Sequence, residues 1–124
     1  MATISKSWGT ETTIMNAVSV TTGSYSDAVD LETNGYDGAH VVVDADFPAS
    51  PTSNLQVDVQ ASLDGTNYDD TALFSFIIDK GIDPNQVSFI IKDVAHFRLY
   101  CKRSGGSDTI TVTAKYQPWR YQSA

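Results

Sequence analysis

What the chain has little of narrows its possibilities first. It holds one cysteine, Cys101, among 124 residues, so an intramolecular disulfide framework is excluded. Cys101 falls in the alternation Phe97, Leu99, Cys101, which places it in a core as a small apolar side chain. Basic residues are scarce too: 8 Lys and Arg against 15 Asp and Glu give a formal net charge of −7 and a pI near 4.4. A field of that sign repels phosphate backbones and anionic headgroups, so neither nucleic acid nor a membrane surface is an expected partner. The cations Lys92, Arg98, Lys102, Arg103, Lys115 and Arg120 gather in the last third, leaving an acidic front and a mildly basic back. That asymmetry could orient head-to-tail contacts between copies, although solvated strand faces explain it more simply.

Long apolar runs are missing as well. Nothing approaches the ~20 apolar residues of a membrane span, and Met1 to Thr10 lacks the apolar stretch of about 7 to 15 residues that a secretion signal needs. The expectation is a soluble protein made inside a cell and not exported through a cleaved signal. Only two histidines occur, His40 and His96. Each sits at a strand end or on a strand face, poorly placed as the base a Ser or Cys nucleophile requires. There is no G-x-S-x-G, no G-x-x-x-x-G-K and no pair of cysteines, which removes the nucleophile elbow, the phosphate-cradling loop and zinc spacing. The acids Asp44, Asp46, Asp69 and Asp70 and those in turns read as solvation and turn chemistry rather than as a glycosidase pair. Asp64-Gly65-Thr66-Asn67-Tyr68-Asp69-Asp70 has the oxygen density of a calcium site but not the spacing of the helix-flanked loop, and Asp-Gly is an ordinary hairpin turn. No enzyme activity, cofactor or metal is expected.

What is present is period two. Leu55, Val57, Val59, Ala61 and Leu63 alternate with Gln56, Asp58, Gln60 and Ser62, and Ile110, Val112, Ala114 and Tyr116 alternate with threonines. Such segments bury one face and wet the other. Weaker versions at 12–20, 25–31, 39–47, 71–78, 86–91 and 96–103 bring the count to about eight strands, and no segment shows a convincing 3.6 period. Asn34-Gly35, Asp37-Gly38, Asp64-Gly65 and Gly105-Gly106, with the proline-bearing stretches Pro48 to Ser53 and Lys80 to Pro84, supply the turns. The fold class predicted is a single all-β domain over 1–124, an antiparallel β-sandwich of jelly-roll type; the Cys, Trp, Cys pattern of an immunoglobulin sandwich is absent. Val41-Val42-Val43 and Phe76-Ile77-Ile78 are apolar on consecutive positions, so each turns a side chain outward, toward a loop, a bulge or a neighbouring subunit.

The ends depart from the pattern. Residues 1–10 read as a short arm around Trp8, and 117–124 as an aromatic tail carrying Trp119, Arg120 and Tyr121. Large aromatics and Arg on a segment without strand period make these four the candidate interface residues, with folding back onto the sandwich as the alternative.

The run Ala61-Ser62-Leu63-Asp64-Gly65-Thr66-Asn67-Tyr68, followed by Val94-Ala95-His96-Phe97-Arg98, Ser104-Gly105-Gly106-Ser107-Asp108-Thr109 and Trp119-Arg120, resembles β-sandwich structural proteins of tailed bacteriophages, over about Val18 to Arg120. The resemblance implies a virion component: a capsid decoration or cement protein on the outer head surface, assembled in the host cytoplasm. It implies a symmetric homo-oligomer, often a trimer, clamping the major capsid protein, with tail or baseplate parts as nearby alternatives. A competing expectation is a carbohydrate-binding sandwich that stacks sugars on Tyr36, Tyr68 or Tyr100.

Overall fold

The computed structural model describes residues 4–123. The alternating segments become strands because each has one apolar row to bury, and among the described residues no helix forms. The strands are β1 (Ile4–Trp8), β2 (Thr12–Val20), β3 (Gly23–Tyr25), β4 (Val29–Asp30), β5 (Gly38–Asp46), β6 (Asn54–Ser62), β7 (Phe74–Ile78), β8 (Asn85–Lys92), β9 (His96–Ser104) and β10 (Ile110–Ser123). All described pairings are antiparallel. One sheet runs β1-β10-β5-β8, with β2 also on β10; the other runs β3-β9-β6-β7, with β4 also on β9.

Two strands are interrupted. β1 and β2 lie end to end along one side of β10, and β3 and β4 along one side of β9. Counted as one strand each, they leave eight strands in two four-stranded sheets ordered 1-8-3-6 and 2-7-4-5. That is the jelly-roll connectivity expected, in which successive strands alternate between sheets except for the hairpin at β6 and β7.

The core lies between the sheets. Leu55, Val57 and Val59 of β6, Leu99 and Cys101 of β9, Val41 and Val43 of β5 and Ile110, Val112 and Ala114 of β10 are all fully buried, as the alternation requires. Cys101 is the predicted core residue: its Sγ lies 3.7 Å from Met15 Sδ, and burial pushes the thiol up to about 12. Val42 and Ile77 are the outward members of their apolar triplets, Ile77 half exposed.

The ends differ from expectation. The tail predicted at 117–124 continues β10 as a strand to Ser123, and the arm at 1–10 contributes β1; residues 1–3 and 124 lie outside the described region. Pro118 is tolerated within the strand because it falls opposite the break between β1 and β2, where its carbonyl accepts the Gly9 N–H at 2.7 Å. Beyond it the strand is held on both sides, by Gly38 of β5 at Trp119 and by β1 from Trp119 to Ser123.

Candidate functional site

The four interface candidates converge on one end of the first sheet. Trp8 pairs with Trp119 across β1 and β10, ring centroids 5.7 Å apart, and Lys6 lays its ammonium over both indoles, 5.6 Å from Trp8 and 4.6 Å from Trp119. The two indoles share one face of the sheet but not one environment. Trp119 is 2% exposed and Trp8 48%. Burial of Trp119 follows from its cross-strand neighbour: Gly38 has no side chain, and a Cβ there would meet the Trp119 ring and, at 2.6 Å, the Ile91 carbonyl oxygen. Trp119 is therefore already buried within one chain, packed against the sheet. Its Nε1 is enclosed without a hydrogen-bond partner among the described residues.

The remaining two residues face different ways. Arg120 folds back, donating from Nη1 to the Asn34 carbonyl at 3.2 Å and lying 5.2 Å from the Tyr36 ring. Tyr121 is 53% exposed, and its backbone N–H donates to Asp37 Oδ2 at 2.8 Å. Asp37 also donates its own N–H to the Trp119 carbonyl, so this one residue clamps the last turn of sheet to the loop before β5. The result is a two-stranded ribbon, 4–8 against 119–123, whose exposed apolar groups are Ile4, Trp8 and Tyr121. Asp37, Gly38 and Lys6 were not singled out from the sequence. Asp37-Gly38 was read only as a turn, and its pairing with residues more than eighty positions away leaves no local trace.

The other candidates separate. His40 is exposed on the outer face of the first sheet, beside a shallow cleft of about 330 Å³ lined by Glu11, Val42, Gln86, Lys115 and Gln117. His96 sits on the other sheet between two carboxylates, 3.7 Å from Asp30 and 3.5 Å from Glu32. No nucleophile joins either histidine in a hydrogen bond among the described residues. The Asp64 loop is organised by its own backbone. Asp64 accepts from the N–H groups of Asn67 and Thr66, from Asn67 Nδ2 and from the Ser62 hydroxyl, which holds its carboxyl far below the usual range. Its oxygens are thus engaged by the turn, and among the described residues no cluster of three metal-ligating side chains occurs.

The tyrosines proposed for sugar stacking fall in two places. Tyr36 packs at the ribbon, whereas Tyr68 and Tyr100 belong to a ladder on the outer face of the second sheet. There the Arg98 guanidinium lies 4.1 Å from both the Tyr25 and the Tyr68 ring, Tyr25 stacks on Tyr100 at 4.5 Å, and Gln60 accepts Arg98 Nε at 2.8 Å. Arg98 thus lies against Tyr25 and Tyr68 together, while Tyr25 stays 53% exposed.

No family model matches the chain, and no curated protein matches it. Among solved structures it is similar to one from a study titled "Bacillus endospore appendages form a novel family of disulfide-linked pili", at 12% identity and a TM-score of 0.48, over 97% of this chain and 90% of that one. Likeness at this level carries no argument about function.

Proposed function

We propose that the chain is a non-enzymatic virion structural protein that decorates the capsid surface of a tailed bacteriophage, docking on the major capsid protein through the ribbon formed by its two ends. The observation that supports the docking is the exposed cluster Ile4, Trp8 and Tyr121, 71%, 48% and 53% exposed, backed by the buried Trp119. A half-exposed indole braced against a rigid, buried one, with a cation over both, is the kind of preorganised anchor that contributes most of the energy in protein contacts. Trp119 and Arg120 act in this reading as supports that position the ribbon, while Trp8 and Tyr121 touch the partner. The virion assignment itself is supported by the resemblance of residues 61–68, 94–98 and 104–109 to phage sandwich proteins.

The test is direct. Particles purified from cells carrying the gene are probed with antibody to this chain, and gold label on the heads is expected. A second arm uses Tyr121→Ser, which should retain the fold while at least tenfold less of it copurifies with particles. Abundant chain in the lysate with none on particles would overturn the virion reading. Undiminished copurification of Tyr121→Ser would overturn the ribbon as the docking surface.

A further inference from the structure

A sandwich built this way has two open sides where sheet edges meet solvent, and here they differ sharply. On one side run β1 and β2, end to end, and β3 and β4, end to end. That side is broken: β2 shifts register between Val112 and Ala114 and again before Lys115 of its partner, Ala17 stands at φ 48°, and β3 and β4 are three and two residues long. Bulges and very short strands are how sheet edges are kept from pairing with other chains. On the other side run β7 and β8, five and eight residues long, both continuous and in unbroken register with β6 and β5. Neither contains proline, and no charged residue occurs in Phe74–Ile78 or from Asn85 to Ile91.

This side is also where the core is incompletely closed. Phe74, Phe76, Val87 and Phe89 point inward yet are only partly buried, with Phe89 edge-on to Phe74 at 5.2 Å and near Phe76 at 5.5 Å. Around that seam stand Leu73, Ile77, Ile82 and Ile90, 52%, 50%, 61% and 63% exposed. These are four of the nine large apolar side chains that the described residues expose.

From these edges we infer that the β7 and β8 side is the contact between two copies of this chain, related by a two-fold axis normal to the sheets. β8 pairs antiparallel with its own copy, which continues that sheet across the dimer, and β7 lies against its counterpart. The occupant follows from charge and symmetry. Each copy carries −7 overall, so association is favoured where neither surface is charged, and this edge meets only itself. On the opposite side the longest strand in unbroken register is β1, and it is five residues long with Lys6 at its centre, so it offers no uncharged edge to match β8, whereas an antiparallel self-pair is satisfied by the same strand twice. The size is at the small end of specific contacts: the eight-residue edge of β8 is ~27 Å long and the five-residue edge of β7 ~17 Å, and two sheets ~10 Å apart with their outer side chains are roughly 20 Å deep, or about 450 Å² per copy. That gives a total of about 900 Å², which the outward isoleucines raise toward the ~1,000 Å² of a specific interface. The inference stands on the sheet edges and is independent of the virion reading.

Sedimentation equilibrium over a concentration series tests it, using wild type, Ile77→Lys/Ile90→Lys and Tyr121→Lys. Wild type is expected at twice the 13.5 kDa chain mass. The double variant, altered only at outward positions, should keep its circular dichroism and weaken the dimer at least tenfold, and Tyr121→Lys should leave the dimer unchanged. Hydrogen exchange on wild type gives a check free of mutation: amides of 85–92 should become more protected with concentration and those of 4–8 should not. Wild type that is monomeric to the millimolar range, a trimer, a dimer that survives both lysines, or protection that rises at 4–8 instead would overturn the inference.

Discussion

At the scale of single residues, four positions carry more of the fold than their types suggest. Cys101 is fully buried with Met15 Sδ as its polar neighbour, so Cys101→Ser places a hydroxyl where only a weak sulfur acceptor waits. A loss of about 1–3 kcal/mol is expected from an unsatisfied hydroxyl in a protein interior, measured by urea unfolding, and in the native wild type the thiol should resist a thiol reagent until the chain is unfolded. Gly38→Ala drives a Cβ into Trp119 and the Ile91 carbonyl, so the indole must leave its bed. Overpacking of this kind costs about 1–3 kcal/mol, and here it should come with a red-shifted tryptophan emission; unchanged emission would show that Trp119 is not held by that contact. Asp64 has its carboxyl held far below the usual range by bonds from Asn67, Thr66 and Ser62. A depressed folded pKa contributes stability above the unfolded value, about 3.9 for aspartate, and that contribution is lost as pH falls below it toward the folded value. Asp108 behaves alike: burial pushes it up, and the bonds from Thr52 and Ser53 outweigh that. The melting temperature should therefore fall as pH drops below about 4, and Asp64→Asn should make that fall shallower.

At the scale of elements, the ribbon is held by pairing and not by the core. None of Ile4–Lys6 or 121–123 belongs to the central apolar cluster. Removing 121–124 deletes the partners of Ile4, Ser5 and Lys6 and the Tyr121 to Asp37 bond. At about 0.5–1.5 kcal/mol for each of a few hydrogen bonds, most of them solvent-exposed, the truncated chain should melt earlier by several degrees while the near-ultraviolet dichroism of the core persists. Proteolysis after Lys6 should accelerate. Collapse of the whole fold on this truncation would make the ribbon part of the cooperative unit. Legibility followed the same division. β2, β5 and β6 were readable almost to the residue; in β5 and β6 one-sided burial imposes period two on the side chains, while β2 buries Ile14 and Met15 on consecutive positions. The stretch 25–31 was read as one strand because alternation cannot register that Ser26 leaves the regular ladder, where its hydroxyl accepts the Leu99 N–H in place of a carbonyl. β10 was read as ending at Tyr116 because the alternation stops there, and the feature that lets the strand run on through Pro118, a gap in the neighbouring strand, belongs to residues more than a hundred positions away. Of the candidate site, residue types alone led to the four candidates, but the burial of Trp119 depended on Gly38, and the Tyr25–Arg98–Tyr68 stack on contacts spanning tens of residues.

At the scale of the whole molecule, the charge decides how copies can meet. Acidic and basic side chains on different copies admit ion pairs, whereas the uncharged β7 and β8 edges admit apolar self-pairing, and the two respond to salt in opposite directions. Two bodies of −7 approaching along an apolar edge repel each other, and salt removes that repulsion, the screening length falling from about 30 Å at 0.01 M to about 10 Å at 0.1 M. Excluded salts such as sulfate further favour burial of apolar surface. Edge pairing therefore predicts a dimer that tightens as sodium chloride rises from 0.01 to 0.3 M and tightens again in sulfate. Attraction between opposite charges would be screened over the same range, so an association that loosens with salt would assign the contact to the acidic and basic regions and leave the β7 and β8 edges facing solvent.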